Sequence, residues 1–297
     1  MSLRTALIAL LAFAPLAGCG SDADGRGAAP AAQAKAAVQR SAAPLPDRPL
    51  PRDPNLLAER LRTTRDSLHL VIDRWLAAGG PRERAPREVK LYALDHQRIY
   101  ALMTRRDRLS RAVLDRLRGS VAAEARDILE ARRELSLLAA PVPRRRIRTG
   151  KALPAGVLLR FYRKAERRFE VRWKLLAAVN FVESAFGKVR SKSTAGAQGP
   201  MQFIPSTWEA YGMGGDVHDP HDAIMGAANY LRASGAPENN RRALYAYNPS
   251  RSYVDAVLSY TRRIRRDRHA YFTFHSWQVF VRTPSGIVQL TGPGADR

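Results

Sequence analysis

Apolar residues recur at three- and four-residue intervals through most of this chain, and that period admits little besides packed α-helices. Leu57, Leu61, Leu68, Ile72, Trp75 and Leu76 mark a first helix, opened by Asp53-Pro54-Asn55 and closed by Gly79-Gly80-Pro81. A second pattern runs from about Pro86 to Arg118 through Val89, Tyr92, Ile99, Met103, Val113 and Leu117, and Gly119 breaks it. A third, over 120–138, spaces Val121, Ile128 and Leu135 seven apart. A three-helix unit over 56–140 is expected, its outer faces crowded with Arg, Asp and Glu that read as solvated surface. His69 and His96 stand alone in it and suit structural roles. Pro141-Val142-Pro143 and Arg144-Arg145-Arg146 suggest a basic linker over 141–155.

The helical period then resumes over 156–268. Val157, Leu158, Phe161, Ala165 and Phe169 share a face, and 173–186 is strongly apolar. Shorter helices fit 206–211, 220–234, 240–247 and 252–266. Only the segment 269–297 alternates: residues 276–282, a Pro284-Ser285-Gly286 turn and 287–290 predict a short hairpin.

The N-terminus bears on the compartment. An apolar run over 6–16 behind Arg4 is too short for a permanent spanning helix, which takes roughly 20 residues, and fits an export signal. It ends in Leu16-Ala17-Gly18-Cys19, which resembles a bacterial lipobox. On that reading residues 1–18 are a lipoprotein signal peptide, and lipidated Cys19 anchors the chain in the cell envelope, facing the wall. Residues 19–55, rich in Ala and Pro, read as a disordered spacer. Lys and Arg number 50 against 27 Asp and Glu, a net charge of +23 that suits polyanionic surroundings. Export disfavours nucleic acid and leaves lipid headgroups and anionic wall polymer. Cys19 is the only cysteine, which excludes an intramolecular disulfide and a Cys-based zinc site.

Glu183 is the only charge after Lys174 in the apolar helix over 173–186. Desolvation and the negative end of the helix dipole both disfavour its ionised form. A carboxyl that holds its proton near neutral pH is what cleavage of an unactivated glycosidic bond requires. Downstream, Gly196 and Gly199 allow close backbone approach, and Gln202 can donate to and accept from sugar hydroxyls. Phe203 could face a sugar or the core; Trp208 reads as core.

Glu183-Ser184, Gly199-Pro200-Met201-Gln202 and Ala246-Tyr247-Asn248 stand in the order and approximate spacing of the lytic transglycosylase family, with its goose-type lysozyme-like fold. Phe186-Gly187, the run 202–208 and Asp222-Ala223-Ile224 with Ala228-Asn229-Tyr230-Leu231 resemble its membrane-bound branch. The resemblance covers about 155–265. It implies a lysozyme-like α domain there; with the helical bundle and the hairpin read from apolar spacing and alternation, a mainly α protein is expected: an N-terminal helical bundle, then a lysozyme-like α domain with a short C-terminal β-hairpin. It implies an enzyme that cleaves the MurNAc-β-1,4-GlcNAc bond of peptidoglycan strands without a cofactor. It makes Glu183 the acid/base and places Ser184, Gly199, Met201, Gln202 and Phe203 along the substrate. Ser193 matches a serine that hydrogen-bonds near the glutamate, one residue out of step. Tyr247 would position the carboxyl and the muramoyl group, with Asn248 beside it. Pro200 and Pro249 depart from the family pattern.

An inverting hydrolase needs a second carboxylate. No Asp or Glu occurs from 184 to 208, so a lone glutamate that yields 1,6-anhydro ends fits better. A lysozyme-type hydrolase and a non-catalytic wall-binding scaffold are the alternatives. Asp216, His218, Asp219, His221 and Asp222 could gather a cation, but Asp219-Pro220 also reads as a helix start, and no metal is expected. The N-terminal helices would suit docking to wall-synthesis or division proteins, holding the cleft, or binding acidic wall polymer.

Overall fold

The computed structural model describes residues 42–295. The expected signal peptide, lipidated Cys19 and the first part of the spacer lie outside these residues. The remaining spacer is docked: Ala43 and Leu50 pack on the core, and Arg98 donates to the Arg48 carbonyl.

The chain is mainly helical. Helix α1 (Pro54–Ala77) starts where Asp53 accepts from the Asn55 and Leu56 amides. Then follow α2 (Arg87–Arg105), α3 (Asp107–Leu114), α4 (Gly119–Leu138), α5 (Ala155–Phe169), α6 (Trp173–Ser184), α7 (Pro205–Tyr211), α8 (Pro220–Ala233), α9 (Asn240–Tyr247), α10 (Arg251–Arg266) and α11 (Ala270–Ser276). Strands β1 (Phe280–Thr283) and β2 (Gly286–Gln289) close the chain as an antiparallel hairpin, with Val281 opposite Val288. Among the described residues no helix is long and apolar enough to cross a membrane.

Two elements differ from expectation. The single helix over 86–118 is two, α2 and α3. Arg106 leaves the helical region (φ −128°, ψ 85°), and its carbonyl accepts from the Ser110 amide at 2.7 Å. Asp107 then sits at the positive end of a new helix, where its charge is favoured. In the alternating run that begins at Ser276, residues 276–279 are all buried, and pairing starts only at Phe280. Residues 270–276 are helical, and the His275 and Trp277 carbonyls accept from the buried Lys188 ammonium.

One apolar core runs from Leu57 to Trp277. Helix α10 packs against both α6 and α4, so the N-terminal helices back the second half of the chain directly. Asp127 on α4 pairs with Arg262 (2.6 Å) and Arg266 (3.3 Å) on α10. Glu130 accepts from Ser259 and pairs with Arg262. Inside the N-terminal helices, Glu124 is buried against His96 (2.9 Å) and Arg65 (3.1 Å). Burial opposes its ionisation, but the His96 hydrogen bond and the charges of His96, Arg65 and Arg263 outweigh it and hold the carboxyl down to about 2. His69 is not alone as expected. Its ring stacks on His269, 4.0 Å between centroids, and faces Asp267 at 3.5 Å.

Candidate active site

Every side chain of α6 beyond Lys174 except Glu183 is apolar or a small polar group, so the helix is drawn into the core and carries the glutamate with it. Glu183 is only 7% exposed. Burial pushes its carboxyl up to about 8, against the pull of a phenol that favours the ionised form. That phenol is Tyr253, buried at the start of α10, whose hydroxyl donates to Glu183 Oε1 at 2.7 Å. Burial raises the Tyr253 pKa well above its usual value, so the phenol stays a neutral donor.

The chain leaves α6 by a sharp turn. Ala185, Phe186 and Gly187 take positive φ values of 50°, 63° and 79°. Such a run is unfavourable for the first two residues and is held by polar ties. Ser184 Oγ donates to the Pro200 carbonyl and accepts from the Gly187 amide at 2.8 Å. Asn180 Nδ2 donates to the same carbonyl at 2.7 Å, and Tyr162 holds Asn180 Oδ1 at 2.6 Å. Ser184 is fully buried. It is a structural hub behind the glutamate and not the substrate contact expected of it.

The loop after α6 folds back at Gly199-Pro200-Met201-Gln202, with Gln198 and Phe203 paired across it. Gly199 is required: a Cβ there would lie 1.9 Å from the Val217 carbonyl oxygen. Gln202 takes φ 50° and is partly exposed; its side-chain amide donates to the Gly199 carbonyl at 2.9 Å. Ser193 Oγ accepts from the Ala197 amide at 3.0 Å, closing its own loop. Met201 and Phe203 point into the core, contrary to the expectation that they line the substrate. Met201 still takes part through its carbonyl, which accepts from Tyr247 at 2.7 Å. Tyr247, expected to position the carboxyl, is an electrostatic neighbour of Glu183, and the hydroxyl bonded to Glu183 Oε1 is that of Tyr253. Asn248 is buried at the end of α9. Trp208 is half-buried against Phe203, 5.0 Å between centroids.

The 216–222 segment is a helix start. Asp219 caps α8 through the His221 and Asp222 amides, and Asp222 accepts from the Asp216 amide. His221 lies between Asp222 (2.9 Å) and the Lys164 ammonium (3.0 Å), so its ring nitrogens already have partners.

Sequence reasoning missed Tyr253. It lies 70 residues beyond Glu183, and no local pattern marks it. Its one signal is a tyrosine three residues after a Ser N-cap, which puts the ring in the first turn of α10.

Residues 160–269, which hold Glu183, Gln202, Tyr247 and Tyr253, match the family described as the Transglycosylase SLT domain. No curated protein and no solved structure matches the chain. A buried, proton-holding glutamate on an apolar helix, inside a segment that matches this family, places residues 160–269 among the lytic transglycosylases, enzymes that cleave peptidoglycan.

Proposed function

We propose that the chain cleaves the MurNAc-β-1,4-GlcNAc bond with Glu183 as its single acid/base, leaving 1,6-anhydro-MurNAc ends. The observation that carries this is a buried Glu183, whose carboxyl burial pushes up to about 8, with the Tyr253 phenol on one of its oxygens. The carboxyl gives its proton to the glycosidic oxygen as the C1–O bond breaks. The carboxylate then takes the proton of the muramoyl C6 hydroxyl as that oxygen bonds to C1. The acid is restored and no water is consumed. The internal hydroxyl has the advantage of proximity over water, and the stretch 184–208 supplies no second carboxylate to activate one. Tyr253 fits both steps, since a neutral donor on Oε1 steadies the carboxylate between them.

The lipobox-like Leu16-Ala17-Gly18-Cys19 supports an exported lipoprotein tethered through Cys19. The test is a digest of purified peptidoglycan by the full-length chain and by its Glu183→Gln variant, with mass spectrometry of the released ends. Anhydromuramoyl ends that vanish in the variant are expected. Reducing ends that vanish instead would make the enzyme a hydrolase.

A further inference from the structure

Several arginines of the N-terminal helices are answered by carboxylates within the fold: Arg60 by Asp95, Arg62 by Glu59, Arg65 by Glu124. A second group is not. No Asp or Glu occurs between Glu134 and Glu166, nor between Glu183 and Glu209. The fold brings parts of these two acid-free stretches together. Thr149 pairs antiparallel with Val189, the Arg190 amide donates to the Arg148 carbonyl at 2.9 Å, and the Arg148 amide donates to Ser191 Oγ at 2.6 Å. Beneath them Ile147, Ala185 and Val189 share a small apolar cluster with Val279, Val281 and Leu290. The basic segment is thereby fixed to the turn that leaves the glutamate's helix.

The outcome is an exposed patch of Arg144, Arg145, Arg146, Arg148, Arg190 and Lys192. Among the described residues none of the six has a carboxylate within ion-pair distance. Arg190 donates only to the Gly187 and Lys151 carbonyls. The positive field extends to Lys151. Burial, and after it the charges of Arg84 and Lys151, lower the nearby Lys90 ammonium. The patch adjoins the site: Lys192 precedes the Ser193 loop, and the Gln202 amide leans toward the Ser191 carbonyl at 3.5 Å.

We propose that this patch receives the carboxylates of the peptide stems on a bound glycan strand, so that the enzyme prefers peptide-bearing over peptide-stripped strands. The inference rests on the peptidoglycan-cleaving reading of the Glu183 site. Guanidinium groups match carboxylates in a bidentate fork. Stems branch from the same muramoyl residues whose bond is cut, so their carboxylates come beside the site whenever a strand occupies it. An anionic membrane would satisfy the same charges, but pressed on this patch it would crowd the strand's approach.

The test measures binding by the full-length Glu183→Gln protein, so that no turnover is needed. Peptide-bearing strands and amidase-stripped strands are compared at low and high salt. The same is done with Arg144→Gln, Arg145→Gln and Arg146→Gln combined, and with Arg148→Gln and Lys192→Gln combined. The expected result is roughly tenfold tighter binding of peptide-bearing strands, lost in both variants and at high salt, with stripped-strand binding unchanged. Equal binding of the two strands by the parent protein overturns the proposal. So does a preference that survives the substitutions, or a substitution effect confined to phosphatidylglycerol vesicles, which would turn the patch toward a membrane. Failure of the Glu183 reading shows elsewhere, as peptidoglycan left uncut by the unsubstituted enzyme.

Discussion

Two neighbours of opposite effect set the chemistry of Glu183: an apolar surround that keeps its proton on, and a phenol that favours letting it go. The balance near 8 gives activity a direction in pH. On the proposed reading the first step needs the protonated acid, so turnover should fall as pH rises through about 8. Removing the phenol while keeping the ring, by Tyr253→Phe, takes away the influence that favours ionisation. The alkaline limb should move to higher pH while the maximal rate drops roughly tenfold, since the carboxyl loses its orienting bond. Initial rates across the neutral and alkaline range check this. A variant whose limb stays in place would show that Tyr253 only fills space. Ser184 gives a contrast at the same scale. It looks like a ligand contact beside the glutamate, yet its hydroxyl is spent on Pro200 and Gly187.

Among the elements, α10 links the halves: Tyr253 in its first turn meets Glu183, and Arg262 and Arg266 near its end meet Asp127 on α4. Asp127 is buried, whereas Arg262 and Arg266 are partly exposed, so solvent screens much of the pairing. Asp127→Ala should cost about 1–2 kcal/mol and lower the urea midpoint. It should also slow turnover through α10, although Asp127 does not touch Glu183. An unchanged midpoint would mean that apolar packing alone joins α4 to α10. Elements were legible in proportion to their local pattern. Helix α1 was announced by its cap and its apolar spacing. The break at Arg106 was not, because apolar spacing continues across it and neither Gly nor Pro marks it. Helix α11 was hidden too: Ala270, Tyr271 and Phe274 are buried by tertiary packing, and seven residues are too few for a clear period. The burial of Glu183 was legible because a lone charge on an apolar helix is a local anomaly. Met201 and Phe203 were misjudged because sequence order does not say which way a side chain turns.

At the scale of the whole molecule, the core is continuous from Leu57 to Trp277, and the segment that matches the transglycosylase family contains only part of it. A fragment beginning at residue 141 would uncover the part of α10 that α4 covers, with Val254, Val257 and Tyr260 among the helix's buried residues. It should be poorly soluble or lack cooperative unfolding, and should cut peptidoglycan far more slowly than the full chain. A fragment that melts cooperatively with full activity would show that the N-terminal helices are an accessory. Their joint with the end of α10 has a further consequence, in time. Asp73 on α1 meets Arg268 and His269, about 195 residues later in the chain, and Tyr253 follows Glu183 by 70. Contacts so far apart in sequence cannot form while the ribosome is still making the chain between them. When Glu183 first emerges it has no phenol, and α1 has no partner for Asp73. On the proposed reading the acid and its orienting phenol therefore meet only after the chain has been made past residue 253, and a shorter chain carries the glutamate without that bond.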